Sequence, residues 1–200
     1  MKTQKQLAYF LIILAVALAL LIAWLVYYRQ HYAEDFFSYH GFDFKRVNNG
    51  YELSLYINSK TTPNTITLRS DPRKLEDIPL DPGILSLSKK NEIYAMINPY
   101  DNLTGVTTIA VLEIDKIFDN PFLYNIPVNA SFTEPYGNTT LPVKNCQEKN
   151  TNVGLLWFKI ENETHIYPYE NCFIVAGEQE EDLIRAADRI IYTILGVMKL

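Results

Sequence analysis

The feature that most constrains this chain is an uncharged run over residues 7–28, LAYFLIILAVALALLIAWLVYY. As a helix rising about 1.5 Å per residue, a run of that length spans about 30 Å, the hydrocarbon thickness of a bilayer. Tyr9 and Phe10 stand near one end, and Trp24, Tyr27 and Tyr28 at the other, where amphipathic rings favour the membrane interface. A single transmembrane helix over 7–28 is therefore expected. The alternative is a cleaved signal peptide, with small-x-small sites at Ala15-Val16-Ala17 and Ala17-Leu18-Ala19. Cleavage there would leave an apolar new N-terminus from Leu20 to Tyr28, and the run is longer than an ordinary signal core.

Orientation follows from several weak signals. Lys2 and Lys5 precede the helix, and Arg29 follows it, with Lys45 and Arg46 further on. The positive-inside rule is nearly neutral on that count. Cys146 and Cys172 are the only cysteines, and an even pair in an otherwise Cys-free chain suggests a disulfide in an oxidising compartment. Two unrelated buried thiols are the alternative. N-x-S/T sequons occur at Asn102, Asn129, Asn138 and Asn162. Chance would place about two in a chain of this Asn, Ser and Thr content, so ordinary turn chemistry competes with glycosylation. The expectation is residues 1–6 in the cytoplasm and the rest of the chain, beyond the anchor, outside.

That remainder carries 16 basic and 23 acidic residues after Tyr28, a net charge of −7. Phosphate backbones require clustered Lys and Arg, so a nucleic-acid partner is not expected. Tyr, Phe, Ile and Leu are too abundant for a disordered chain. Residues 29–40 read as a juxtamembrane segment, whose aromatics rest on the interface or begin the core, and residues 41–200 as one globular domain.

Within that domain, runs at 42–47 and 51–57 flank Asn49-Gly50, a strong hairpin signal. Further strands are expected at 64–69, 93–97, 126–132, 154–160, 165–167 and 172–175. The run GLLWFKI at 154–160 is apolar on both faces, as a central strand should be, and 126–132 alternates Ile126, Val128, Ala130 and Phe132 with polar neighbours. Residues 70–83 carry three prolines among charges and read as ordered but irregular. Helices are expected at 106–118 and at 180–195, the latter with a stripe of Leu183, Ala187, Ile190 and Ile194, acidic residues at its start and Gly196 at its end. The expected fold is α/β or α+β: a mixed β-sheet with an N-terminal hairpin and two packed helices, preceded by one transmembrane helix.

Chemistry is sparse. His31, His40 and His165 stand beside no second ligand at metal spacing, and no nucleophile elbow or phosphate-cradling glycine loop is present. Cys172 and His165 make a possible catalytic pair on paper, far less economical than a disulfide. No catalytic, cofactor or metal residue is expected. Asp71, Arg73, Glu76 and Asp77 in the proline-rich segment, and Arg185, Asp188 and Arg189 on the last helix, are expected to form a structural ion network joining loop to helix.

The run Arg69-Ser-Asp71-Pro72-Arg73-Lys-Leu75-Glu76-Asp77-Ile78-Pro79, the later Asn171-Cys172-Phe-Ile-Val-Ala-Gly177, and the terminal segment from Glu181 through Arg189 into Leu195-Gly196-Val-Met198 resemble uncharacterised single-pass envelope proteins of small-genome archaea. The resemblance implies an outward-facing domain and brings no catalytic residues with it. The functional expectation is a membrane-anchored extracytoplasmic interaction or scaffold domain of the cell envelope, with membrane lipid and an envelope protein as partners. The alternative is an envelope hydrolase with an unrecognised active site.

Overall fold

A computed structural model describes residues 2–32, 35–56 and 64–200. The first helix, α1 (Lys2–Tyr32), contains the apolar stretch Leu11–Arg29, long and apolar enough to cross a membrane and wholly unburied by the rest of the protein.

Three residues after α1 the chain enters an antiparallel meander of four strands: β1 (Phe36–Tyr39), β2 (Phe42–Val47), β3 (Gly50–Leu55) and β4 (Asn64–Leu68). The expected hairpin is β2–β3. Its two-residue turn is Asn48-Asn49, one position earlier than expected, and Val47 pairs with Gly50. Gly50 takes φ 145°, and a Cβ there would collide with the Leu68 carbonyl of β4. Ile57, the expected end of the third strand, lies outside the described residues. Strand β1 arises in the segment expected to be juxtamembrane. Its Tyr39 is buried, and Phe37 stacks on Phe44 at 5.1 Å.

The second sheet contains β5 (Glu92–Ile97), β6 (Val128–Phe132), β7 (Val153–Ile160), β8 (His165–Tyr169) and β9 (Cys172–Gly177), in the order β6-β5-β7-β9-β8. All its pairings are parallel except β8 with β9. Strand β7 is central, as its continuous apolar run requires. Helix α2 (Gly105–Phe118) makes the crossover from β5 to β6, and α3 (Glu180–Ile194) follows β9. The fold is therefore mixed α/β, with one antiparallel and one mixed sheet.

Both helices lie in a core shared by the two sheets. Ile93, Leu156, Phe158 and Val175 of the second sheet, Ile114 and Ile190 of the helices, and Phe44, Leu53 and Leu68 of the first all belong to it. Tyr192 of α3 meets Phe44 edge-on at 5.8 Å. A smaller core on the far face of the second sheet joins Met96, Val153 and Leu155 to Cys146 and Cys172.

The expected inward set on β6 is only partly realised. Ile126 is buried, but Ala130 is exposed, and Ser131 is buried on the opposite face of the strand, paired with Met96 and with its hydroxyl 3.5 Å from the Ala95 carbonyl. β6 is the edge strand of its sheet, and the chain returns along its end, with Phe132 N–H donating to the Pro142 carbonyl and Lys144 N–H to the Phe132 carbonyl.

The proline-rich segment forms two 3-10 turns, Pro72–Lys74 and Pro82–Lys89. Asp71 and Asp81 cap them, accepting from Arg73 N–H at 3.0 Å and Gly83 N–H at 2.7 Å.

Candidate functional site

A cleft of about 670 Å³ lies between one end of the antiparallel sheet and α2. Lys45 and Arg46 of β2 line it together with Arg69, just past β4, and Lys116 of α2. Among the described residues Glu113 is the one carboxylate in its lining. Its side chain is 3% exposed and anchors two of the cations: Arg69 Nε donates to Oε1 at 3.0 Å and Lys116 Nζ to Oε2 at 2.6 Å. Lys116 also donates to the Thr67 carbonyl at 2.9 Å. Glu113 thus fixes the floor and holds Arg69 and Lys116 at about half exposure.

The remaining two cations are not locked in ion pairs, although Lys45 faces Glu52 across the β2–β3 ladder. Neither Lys45 nor Arg46 has an ion-pair partner among the described residues, and Lys45 Nζ sits 5.6 Å from the centre of the exposed Phe36 ring. With four cations against one carboxylate, the cleft is a local positive field on a domain of net negative charge. Asn48 and Asn49 in its rim add amide donors. The arrangement suits an anion: it offers donors and positive charge, and the carboxylate in its described lining is already engaged.

Sequence reasoning missed this site. Lys45, Arg46, Arg69 and Lys116 are spread over 72 positions and form no linear basic run. They converge only because β2, β4 and α2 meet.

The residues expected to form one ion network resolve into separate locks, most of them between α3 and the segment 70–79. Arg73 grips Asp71 bidentately, at 2.9 and 2.6 Å, and lies 3.7 Å over the Phe37 ring. Burial works against the Asp71 carboxylate, but the Arg73 side-chain and backbone donors outweigh it and hold its pKa below the ordinary value. Glu76 accepts from the Tyr39 hydroxyl at 2.8 Å. Arg185 pairs with Asp182 at 2.9 Å and reaches Asp77 at 3.7 Å. Arg189 is buried and has no carboxylate at ion-pair distance among the described residues. It donates instead to the carbonyls of Ile78 and Lys199 and to the Thr193 hydroxyl, at 3.4, 3.1 and 3.0 Å.

Asp188 is fully buried and accepts from the Ser70 N–H at 2.7 Å, while its other oxygen has no partner. Burial pushes its carboxyl up to about 7, the Ser70 hydrogen bond opposes the rise, and nearby Glu113 adds to it.

Cys146 and Cys172 are bonded to each other, with Cα atoms 5.0 Å apart. That removes the Cys172–His165 pair as a nucleophile and base. His165 instead stacks on Tyr167 at 4.5 Å and stands 3.8 Å from Glu161. Of the sequon asparagines, Asn102, Asn138 and Asn162 are exposed, while Asn129 is half-buried on β6. Among the described residues no group of three or more His, Cys, Asp and Glu is placed to hold a metal ion.

Comparison with protein-family models, characterised proteins and solved structures finds no match.

Proposed function

We propose that this protein is a membrane-anchored interaction domain held on the outer side of the cell envelope. The observation that carries the reading is one combination: an entirely exposed apolar helix over Leu11–Arg29 leads within a few residues into a domain stapled by Cys146–Cys172. An exposed apolar stretch of that length matches the hydrocarbon thickness of a bilayer. A disulfide persists in an oxidising compartment. In this reading residues 7–28 span the membrane, Lys2 and Lys5 remain inside, and the exposed Asn102, Asn138 and Asn162 are available for glycans. The motif resemblance to archaeal envelope proteins agrees with the same setting.

Interaction is favoured over hydrolysis by the state of the reactive groups. Cys172 is in the disulfide, Glu113 is engaged by two cations, and Asp188 lies beneath the surface where no substrate reaches it. The cleft offers recognition groups without a free nucleophile or base. Affinity purification of the intact chain from solubilised membranes, with partners identified by mass spectrometry, tests the reading. Stoichiometric recovery of envelope proteins supports it. Recovery of cytoplasmic proteins alone contradicts it.

A further inference from the structure

We propose that the cationic cleft receives the phosphate of an anionic lipid headgroup. The inference rests on α1 being the anchor and adds a ligand to it. Strand direction supplies the argument. Tyr32 ends α1 and Phe36 begins β1, so Phe36 lies within about 14 Å of the end of α1 even with the chain fully extended. Phe36 pairs with Lys45 across the antiparallel ladder. From that pair β2 runs back toward the incoming chain, and the Arg46 N–H donates to the Asp35 carbonyl at 2.6 Å.

The hairpin tip Asn48-Asn49 extends the same way. Because Tyr51 pairs with Leu68, the end of β4 and Arg69 lie at that end too. All the sheet residues of the cleft are therefore at the anchor-side end of the first sheet, whereas the β1–β2 turn at His40-Gly41 is at the opposite end.

The chemistry at that end suits a bilayer surface. Phe36 is 61% exposed with Lys45 over its ring, a pairing of aromatic and cation suited to headgroup depth. Guanidinium and ammonium groups bind phosphate by charge-assisted hydrogen bonds, and the Arg69–Glu113–Lys116 arrangement holds two of them in place beforehand. A cleft of about 670 Å³ is roomier than a free phosphate needs and accommodates a headgroup with its glycerol.

The test uses the full chain purified in a neutral detergent, with retained lipid measured by native mass spectrometry. The probes are phosphatidylglycerol, phosphatidylcholine and inorganic phosphate. Wild type should retain phosphatidylglycerol over phosphatidylcholine by about tenfold, and the double variant Lys45→Ala, Arg46→Ala should lose that preference while melting at the parent temperature. Both side chains are exposed and outside the Glu113 lock, so folding is not at issue.

Equal retention of the two lipids by wild type overturns the proposal. So does a preference that survives in the double variant, which would belong to Arg29 or to Lys2 and Lys5. Displacement of the lipid by inorganic phosphate at a concentration no higher than the lipid's makes the cleft a soluble-anion site and overturns the lipid assignment. The measurement does not depend on which side of the membrane the domain occupies. Its failure leaves the extracytoplasmic reading standing, and an inverted topology leaves the lipid preference standing.

Discussion

Glu180, in the first turn of α3, holds the first turn of α2 through Thr107. Its Oε2 accepts from the Thr107 hydroxyl at 2.7 Å and from the Thr107 N–H at 3.1 Å. The same carboxylate accepts from the N–H and hydroxyl of Thr104 at 2.9 and 3.1 Å. Orphan N–H groups and the dipole of α2 are thus satisfied by a charge from the neighbouring helix. Partial burial works against ionisation, but the donors on Thr107 and Thr104 win and hold the Glu180 pKa below its ordinary value.

A lowered carboxylate pKa stabilises the fold above the unfolded-state value and ceases to do so as pH falls through the folded one. Glu180→Gln should therefore cost about 1–3 kcal/mol at pH 7. The difference from the parent should shrink in acid. Thermal melts of both proteins at neutral and acidic pH check this, and equal melting temperatures at pH 7 would exclude the cap.

Asp188 works in the opposite direction. Its carboxyl, pushed up to about 7 by burial, binds a proton in the folded state where the unfolded chain has already released it. That contribution is complete below the unfolded pKa of about 4 and is lost as pH rises through about 7, with about 4 kcal/mol as its upper bound. Asp188→Asn keeps an acceptor for the Ser70 N–H and removes the titration. The variant should gain stability relative to the parent between pH 5 and pH 8, read as a widening difference in melting temperature. A difference constant with pH would contradict the assignment.

Arg189 stabilises by reach. It joins the Ile78 and Lys199 carbonyls and the Thr193 hydroxyl, tying the last residues and the proline-rich segment to α3. Arg189→Ala should cost about 3 kcal/mol through buried acceptors left without donors. Arg189→Lys should recover little of it, since one ammonium does not span the three acceptors. Full recovery by lysine in denaturant melts would show that charge alone matters there.

The elements that the sequence made legible are those with a strong local signal. The apolar stripe from Leu183 to Ile194 and the closing Gly196, at φ 74° with Val197 N–H returning to the Tyr192 carbonyl, define α3. GLLWFKI could be seen as a central strand because it has no polar face. The antiparallel β2–β3 pair followed from its turn chemistry. Strand β1 was hidden because four residues, three of them aromatic, serve equally at a membrane interface. The burial of Ser131 reflects the second core on the Met96 face, which no local pattern reports. The cleft was hidden for a different reason: its cations come from three elements, and the Glu113 that organises two of them looks like an ordinary polar position on α2.

The disulfide gives an independent expectation. Cys146 lies in the segment over the far face of the second sheet and Cys172 opens β9, 26 positions later. Closing a loop of that size restricts the unfolded chain by about 3–4 kcal/mol in the entropy model. Urea unfolding with and without reductant should show a loss of unfolding free energy of that order, and coincident curves would contradict it.

In the proposed function α1 crosses the membrane and the domain from β1 onward stands outside it. Protease added to intact cells or right-side-out vesicles measures this directly. The expected result is loss of the domain with survival of a short membrane-embedded fragment containing residues 7–28. Complete protection of the domain in sealed cells, with digestion only after the membrane is opened, would contradict the account.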